Sequence, residues 1–101
     1  MTPDDVAVHA ATLPRCKRNG TVVRPAWYVD NRLVVRLEDP STLTIRCATT
    51  LRERLVADHP ETFGVPPAME AHDKVQAVLD HGDDEAIRGV IATAYELQRR
   101  R

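Results

Sequence analysis

The 101-residue chain has little of several residue types that mark particular classes of protein. It contains two cysteines, Cys16 and Cys47, which lie far apart and form no Cys-x-x-Cys pair, so a secreted disulfide scaffold is not expected. No run of about 18 apolar residues is present, and no membrane-spanning segment is predicted. The chain opens with the acidic sequence Met1-Thr2-Pro3-Asp4-Asp5, unlike a signal peptide. We therefore expect a cytoplasmic protein with reduced thiols.

Residues that support catalysis or metal binding are also scarce. Ser41 is the only serine, and no Gly-x-Ser-x-Gly elbow surrounds it. The four glycines form no phosphate-cradling loop. The four histidines lack the spacing of a helical metal site; they are His9, His59, His72 and His81. We predict no catalytic residue, no metal site and no cofactor.

Charge is abundant, and it is unevenly distributed. The whole chain has a formal net charge of −1. Residues 15–54 carry nine basic and four acidic side chains, a net charge of +5, whereas residues 55–98 carry two basic and nine acidic side chains, a net charge of −7. A nearly neutral protein thus has a basic first half and an acidic second half.

Hydrophobic periodicity predicts a single α+β domain over residues 1–101, with the element order α-β-β-β-α-β-α. Thr2 with Pro3 indicates the start of a first helix, and Thr50 with Glu53 matches a capping box that opens a second. The carboxylates of residues 83–85 suit the start of a last helix. The predicted strands span residues 21–29, 32–38, 43–47 and 75–79. Residues 15–20 are predicted to be a basic loop with a turn at Asn19-Gly20.

The alternation of apolar and polar residues predicts which face of the sheet each strand residue occupies. The apolar set of the second strand is Leu33, Val35 and Leu37, which leaves Val34 on the opposite face. A two-residue turn at residues 30–31 would break the agreement between the apolar faces of the first two strands. We therefore predict a longer or bulged connection there.

Three segments carry a resemblance to a known family. They are Trp27-Tyr28-Val29-Asp30-Asn31-Arg32-Leu33-Val34, His59-Pro60-Glu61-Thr62-Phe63-Gly64-Val65-Pro66-Pro67 and Ala94-Tyr95-Glu96-Leu97. In these the chain resembles the YjbR/MmcQ family of small bacterial proteins. The resemblance implies a frataxin-like "double wing" fold, in which helices cover one face of an antiparallel sheet. It also implies DNA binding, no enzymatic activity and no cofactor.

The strongest candidate for a functional surface is one basic face of the sheet. Its predicted members are Arg24, Arg32, Arg36 and Arg46 around Tyr28, with Lys17 and Arg18 in the adjoining loop. Guanidinium groups bind phosphate, and a tyrosine ring can stack on a base. Three interpretations remain open: weak, salt-dependent nucleic-acid binding, a solvated face without a partner, or a protein–protein interface. For the last, a homodimer would set the acidic final helix of one subunit against the basic sheet of the other.

Overall fold

In the computed structural model, which describes residues 1–100, three helices cover one face of a six-stranded antiparallel sheet. The helices are α1 (Pro3–Ala11), α2 (Thr49–Asp58) and α3 (Asp84–Gln98). The strands are β1 (Lys17–Gly20), β2 (Pro25–Val29), β3 (Arg32–Asp39), β4 (Thr42–Arg46), β5 (Phe63–Gly64) and β6 (Lys74–Val78), in the spatial order β1-β2-β3-β4-β6-β5. One turn of 3-10 helix lies at Pro67–Met69. The predicted α+β class is confirmed.

The core lies between the sheet and the helices. Val6 of α1, Ile87 of α3 and Leu43 of β4 are each fully buried in one apolar cluster. The second helix buries no residue completely, but its Leu51 and Leu55 pack against the same cluster. Because every helix of residues 1–100 packs on this core, no helix of this part of the chain covers the opposite face of the sheet. We call that opposite face the outer face.

The helix starts follow local capping chemistry in two cases of three. The predicted start at Thr2 is confirmed, since its hydroxyl accepts the Asp5 N–H at 3.1 Å and the Asp5 carboxylate accepts the Thr2 N–H at 2.9 Å. Asp83 caps α3. The capping box predicted at Thr50 is wrong, because α2 begins at Thr49 and the cap position is Ala48, two residues earlier than predicted. No helix within residues 1–100 is long and apolar enough to cross a bilayer.

Two strands were not predicted from the sequence, β1 and β5. The four residues of β1 are all exposed and polar or glycine, so they show no apolar alternation; pairing with β2 makes them a strand. The predicted turn at Asn19-Gly20 is therefore wrong, and the chain reverses instead through residues 21–24. Gly20 is required there, because its φ is +84° and a Cβ would lie 2.6 Å from the Arg24 carbonyl oxygen. The fifth strand spans only two residues, too few for a periodic signal.

The β2–β3 hairpin contains both a tight turn and a bulge. Asp30 and Asn31 have φ of 50° and 64°, which is the two-residue type I′ turn, so the predicted longer loop is wrong. A bulge is present, but it lies within the ladder and not in the connection where we predicted it, because the register shifts between Trp27 and Tyr28. This extra residue on β3 turns Val34 into the core, contrary to the strict alternation we predicted.

Candidate nucleic-acid interface

Strand register identifies the side chains on the outer face. Leu43 and Ile45 of β4 point into the core, so the residues that alternate with them point outward. Their cross-strand partners on β3 and β6 share that face. The polar and charged members of the outer face are Lys17 and Asn19 on β1, Tyr28 on β2, Arg36, Glu38 and Asp39 on β3, Thr42, Thr44 and Arg46 on β4, and Lys74 and Gln76 on β6.

Glu38 connects part of this surface. Its carboxylate accepts the Arg36 Nε–H at 2.8 Å and the hydroxyl of the fully buried Thr44 at 2.9 Å, and it also pairs with Arg24. Burial alone would raise the pKa of Glu38, but the bonds from Arg36, Thr44 and Arg24 outweigh it and hold the pKa below its ordinary value. Glu38 therefore stays ionised and orders two guanidinium groups.

Arg46 and Lys74 form a second, different arrangement. They are directly opposite each other on β4 and β6. Like charges in this position destabilise a sheet. Among residues 1–100, no carboxylate forms an ion pair with either side chain, and the buried Nε of Arg46 has no hydrogen-bond partner. Two adjacent cations without a carboxylate partner are suited to an anion.

The structure brings together five of the seven predicted site residues and separates two. Arg24 reaches the outer face through Glu38, and Lys17, Tyr28, Arg36 and Arg46 lie on it. Arg18 is paired with Trp27 and its guanidinium lies 5.9 Å from the indole centroid, on the helix side of the sheet. Arg32 is paired with the fully buried Val29, also on the helix side.

Sequence reasoning missed Lys74. It stands in the acidic half of the chain, and only the adjacency of β4 and β6 brings it to Arg46. The signal available was the strand alternation that begins at Val75, which assigns Lys74 and Gln76 to the same face. Without the strand order, the sequence does not show which strand lies beside this one, and so which residues lie next to Lys74.

A depression of about 340 Å³ adjoins the β1 side of the outer face. It is lined by Arg15, Lys17, Tyr28, Asp30 and Asn31. Arg15 is engaged, since its Nη1 lies 3.0 Å from the Asp30 carboxylate. Lys17 forms no ion pair with another residue in the described part of the chain, which leaves one cation beside the phenol of Tyr28.

The chemistry available elsewhere in residues 1–100 is limited. No three His, Cys, Asp or Glu side chains of this part of the chain come together so that they could hold a metal ion. Both cysteines are free thiols. Burial raises the pKa of Cys16 and of Cys47, so both favour the thiol over the reactive thiolate.

This sheet and its helices define the class of protein as an α+β domain with helices on one face of an antiparallel sheet. The chain is similar to the crystal structure of the Deinococcus radiodurans protein DR2400, a domain of the family DUF419, with a TM-score of 0.81 over 95% of this chain and 77% of that chain at 18% identity. DUF419 is the YjbR/MmcQ family, so the resemblance found in the sequence is confirmed by the fold. No family model and no curated protein matches the chain. The similarity shows the fold and carries no function with it.

Proposed function

We propose that this protein binds nucleic acid weakly through the outer face of its sheet, by contacts to the phosphate backbone. The observation that carries the proposal is the Arg46–Lys74 pair, two cations held side by side without a carboxylate partner in residues 1–100. A bound phosphate would relieve their repulsion and would accept hydrogen bonds from the Arg46 guanidinium and the Lys74 ammonium.

The number of available cations sets the expected strength. Arg46, Lys74 and Lys17 have no ion-pair partner within residues 1–100, whereas Arg24 and Arg36 share Glu38. Three phosphate contacts predict that log K falls with log salt with a slope of about −2 to −3. The expected dissociation constant is on the order of 100 μM at physiological salt, in the range of non-specific binding.

The surface favours contacts to the backbone over the reading of base sequence. It is a sheet face with no helix to enter a major groove, and it offers a single half-buried ring, Tyr28, for stacking on a base. The acidic helix side repels phosphate, so nucleic acid is expected on one face only.

The test compares two substitutions that change the net charge equally. Lys74→Glu places a carboxylate opposite Arg46, which removes the free cation pair and stabilises the β4–β6 ladder by about 0.2–1 kcal/mol. Arg32→Glu makes the same charge change on the helix side of the sheet. Fluorescence anisotropy with labelled single-stranded and duplex oligonucleotides, over about 20–200 mM salt, measures affinity and salt slope for both variants.

The proposal predicts at least tenfold weaker binding for Lys74→Glu and a change within about twofold for Arg32→Glu. Thermal unfolding checks that Lys74→Glu remains folded. Absence of binding by the natural chain at 20 mM salt contradicts the proposal, and so does an equal loss in the two variants.

A further inference from the structure

Two valines at the tip of the β1–β2 hairpin are the most exposed large apolar side chains described. Val22 is 94% exposed and Val23 is 78% exposed. The turn that bears them is closed, because the Thr21 N–H donates to the Arg24 carbonyl at 3.3 Å and the Arg24 N–H donates to the Thr21 hydroxyl at 3.0 Å. Turns favour glycine, asparagine and aspartate, so two β-branched side chains presented to water require another explanation.

The surroundings of this tip are basic. Arg18 lies in β1 and Arg24 ends the turn, and residues 15–29 contain no acidic residue. We call Val22, Val23, Arg18 and Arg24 the hairpin tip. Its chemistry is an apolar end beside the guanidinium of Arg18, since the charge of Arg24 is already paired with Glu38.

A groove with the opposite chemistry lies at the other side of the molecule, between α2 and residues 65–70. It has a volume of about 520 Å³, within the usual size range of binding pockets. Its apolar lining is Val56, Ala57 and Val65, and its acidic lining is Glu53 and Glu70. Both glutamates are exposed, and neither forms an ion pair within residues 1–100. We call these five residues the acidic groove.

Arg52 also lines the groove, but its guanidinium is already engaged. It donates to the backbone carbonyls of Met69, Glu70, His72 and Lys74 at 3.4, 3.1, 2.6 and 3.1 Å. These bonds hold residues 69–74 against α2 and form a rigid wall. These carbonyls are neutral, so Arg52 keeps its positive charge, and with Glu53 and Glu70 the lining has a net charge of −1.

We propose that the hairpin tip of one molecule docks in the acidic groove of a second copy of this chain. The valines match the apolar lining, and the charge of Arg18 is opposite to that of Glu53 and Glu70. Within one molecule the contact cannot form, because β1 is one edge strand of the sheet and α2 packs against β5 and β6 at the other. The contact is head-to-tail, so it builds rings or short chains of molecules. It uses neither Arg46 nor Lys74 and does not depend on nucleic-acid binding.

The contact is small, so we expect weak association. An interface below about 1,200 Å² is typical of transient complexes, and the expected dissociation constant is about 10 μM to 1 mM. Sedimentation of the full chain from about 10 μM to 1 mM, at low and at high salt, should show a mean mass that rises with concentration and falls with salt.

Two variants disable one partner surface each. Val22→Ser/Val23→Ser removes the apolar tip, and each substitution is expected to weaken association on the order of tenfold. Glu53→Lys/Glu70→Lys reverses the charge of the groove. Val8→Ser, at a valine 69% exposed on α1, is the matched control for the first variant. Asp80→Lys/Glu85→Lys, at two other exposed acidic residues, is the matched control for the second.

Mixing the two disabled variants gives the decisive result. Each alone is expected to stay monomeric, but the mixture retains one intact tip and one intact groove and should form a 1:1 pair. A monomeric natural chain at about 1 mM and low salt overturns the proposal. So does association that survives in either variant, or a mixture that fails to pair. If the valine variant loses oligonucleotide binding while self-association is unchanged, the partner of the tip is nucleic acid and the proposal is wrong.

Discussion

Replacing Glu38 with glutamine tests whether the cations of the outer face bind nucleic acid. Glu38 has two roles, because it stabilises the sheet and also neutralises cations of that face. The natural carboxylate pairs with Arg24 and Arg36 and accepts the Thr44 hydroxyl. Glutamine keeps the shape and one acceptor but loses the charge. The variant should therefore be less stable and should bind polyanions more tightly.

The magnitudes follow from these contacts. Hydrogen bonds to charged groups contribute about 1.5–3 kcal/mol when buried, but Arg24 is 55% exposed, so its share is small. We expect a loss of about 2 kcal/mol, which lowers Tm by about 10 °C in a domain of this size. Release of two guanidinium groups adds up to two phosphate contacts, so the salt slope steepens by about 1–2.

Anisotropy with a single-stranded oligonucleotide over a salt series measures this change, and denaturant unfolding measures stability. Glu85→Gln is the matched control, since it removes the same charge from an exposed position on α3. We expect Glu38→Gln to bind about threefold to tenfold more tightly at low salt, and the control to be unchanged. Equal tightening in both variants would show that net charge alone governs binding. Unchanged or weaker binding by Glu38→Gln would refute the role assigned to the outer face.

Three further predictions concern the fold and are checked by denaturant unfolding. Gly82→Ala should destabilise the protein by about 2 kcal/mol, since the new Cβ would lie 2.2 Å from the Val78 carbonyl oxygen. At Gly89 a Cβ meets no atom within 4 Å, so Gly89→Ala should stabilise α3 by about 0.5–1 kcal/mol. A Gly82→Ala variant more stable than the Gly89→Ala variant would contradict the packing described. Arg52→Lys should cost about 1–2 kcal/mol, because an ammonium group cannot span four carbonyls, and full stability would show that they need no such donor. The pKa of Glu38 is lowered in the folded protein, so the ionised carboxylate stabilises the fold. This contribution to the free energy of unfolding is complete above the unfolded-state pKa of about 4.3 and is lost as the pH falls through the folded-state pKa. The stability gap between the natural chain and Glu38→Gln should therefore shrink as the pH falls below about 4.3, and a constant gap would contradict this prediction.

The sequence predicted the elements that carry local signals. Thr2 and Asp83 have capping side chains beside apolar periodicity, and both helix starts are confirmed. The capping pattern at Thr50 was equally good, but α2 starts at Thr49, where packing of Leu51 and Leu55 sets the helix position instead. Local chemistry thus predicts an element, while its boundary depends on tertiary contacts.

The faces of the strands were harder to predict, because one bulge exchanges them. The register shift between Trp27 and Tyr28 places Val34 in the core and moves Arg32 to the helix side. A sequence pattern of period two cannot indicate where an extra residue lies. Lys74 was missed for a different reason, since its pairing with Arg46 depends on a strand order that brings together distant parts of the chain.

The most direct test of the account is the mapping of NMR chemical shifts while a single-stranded oligonucleotide is added at low salt. Nucleic-acid binding at the outer face predicts that the largest changes fall there, at the Arg46 side-chain Nε–H and the amides of Lys74, Arg36 and Tyr28, and that Arg32 and the α3 amides stay unchanged. Changes concentrated on the helix side of the sheet, or an Arg46 Nε–H that does not shift at saturation, would contradict it.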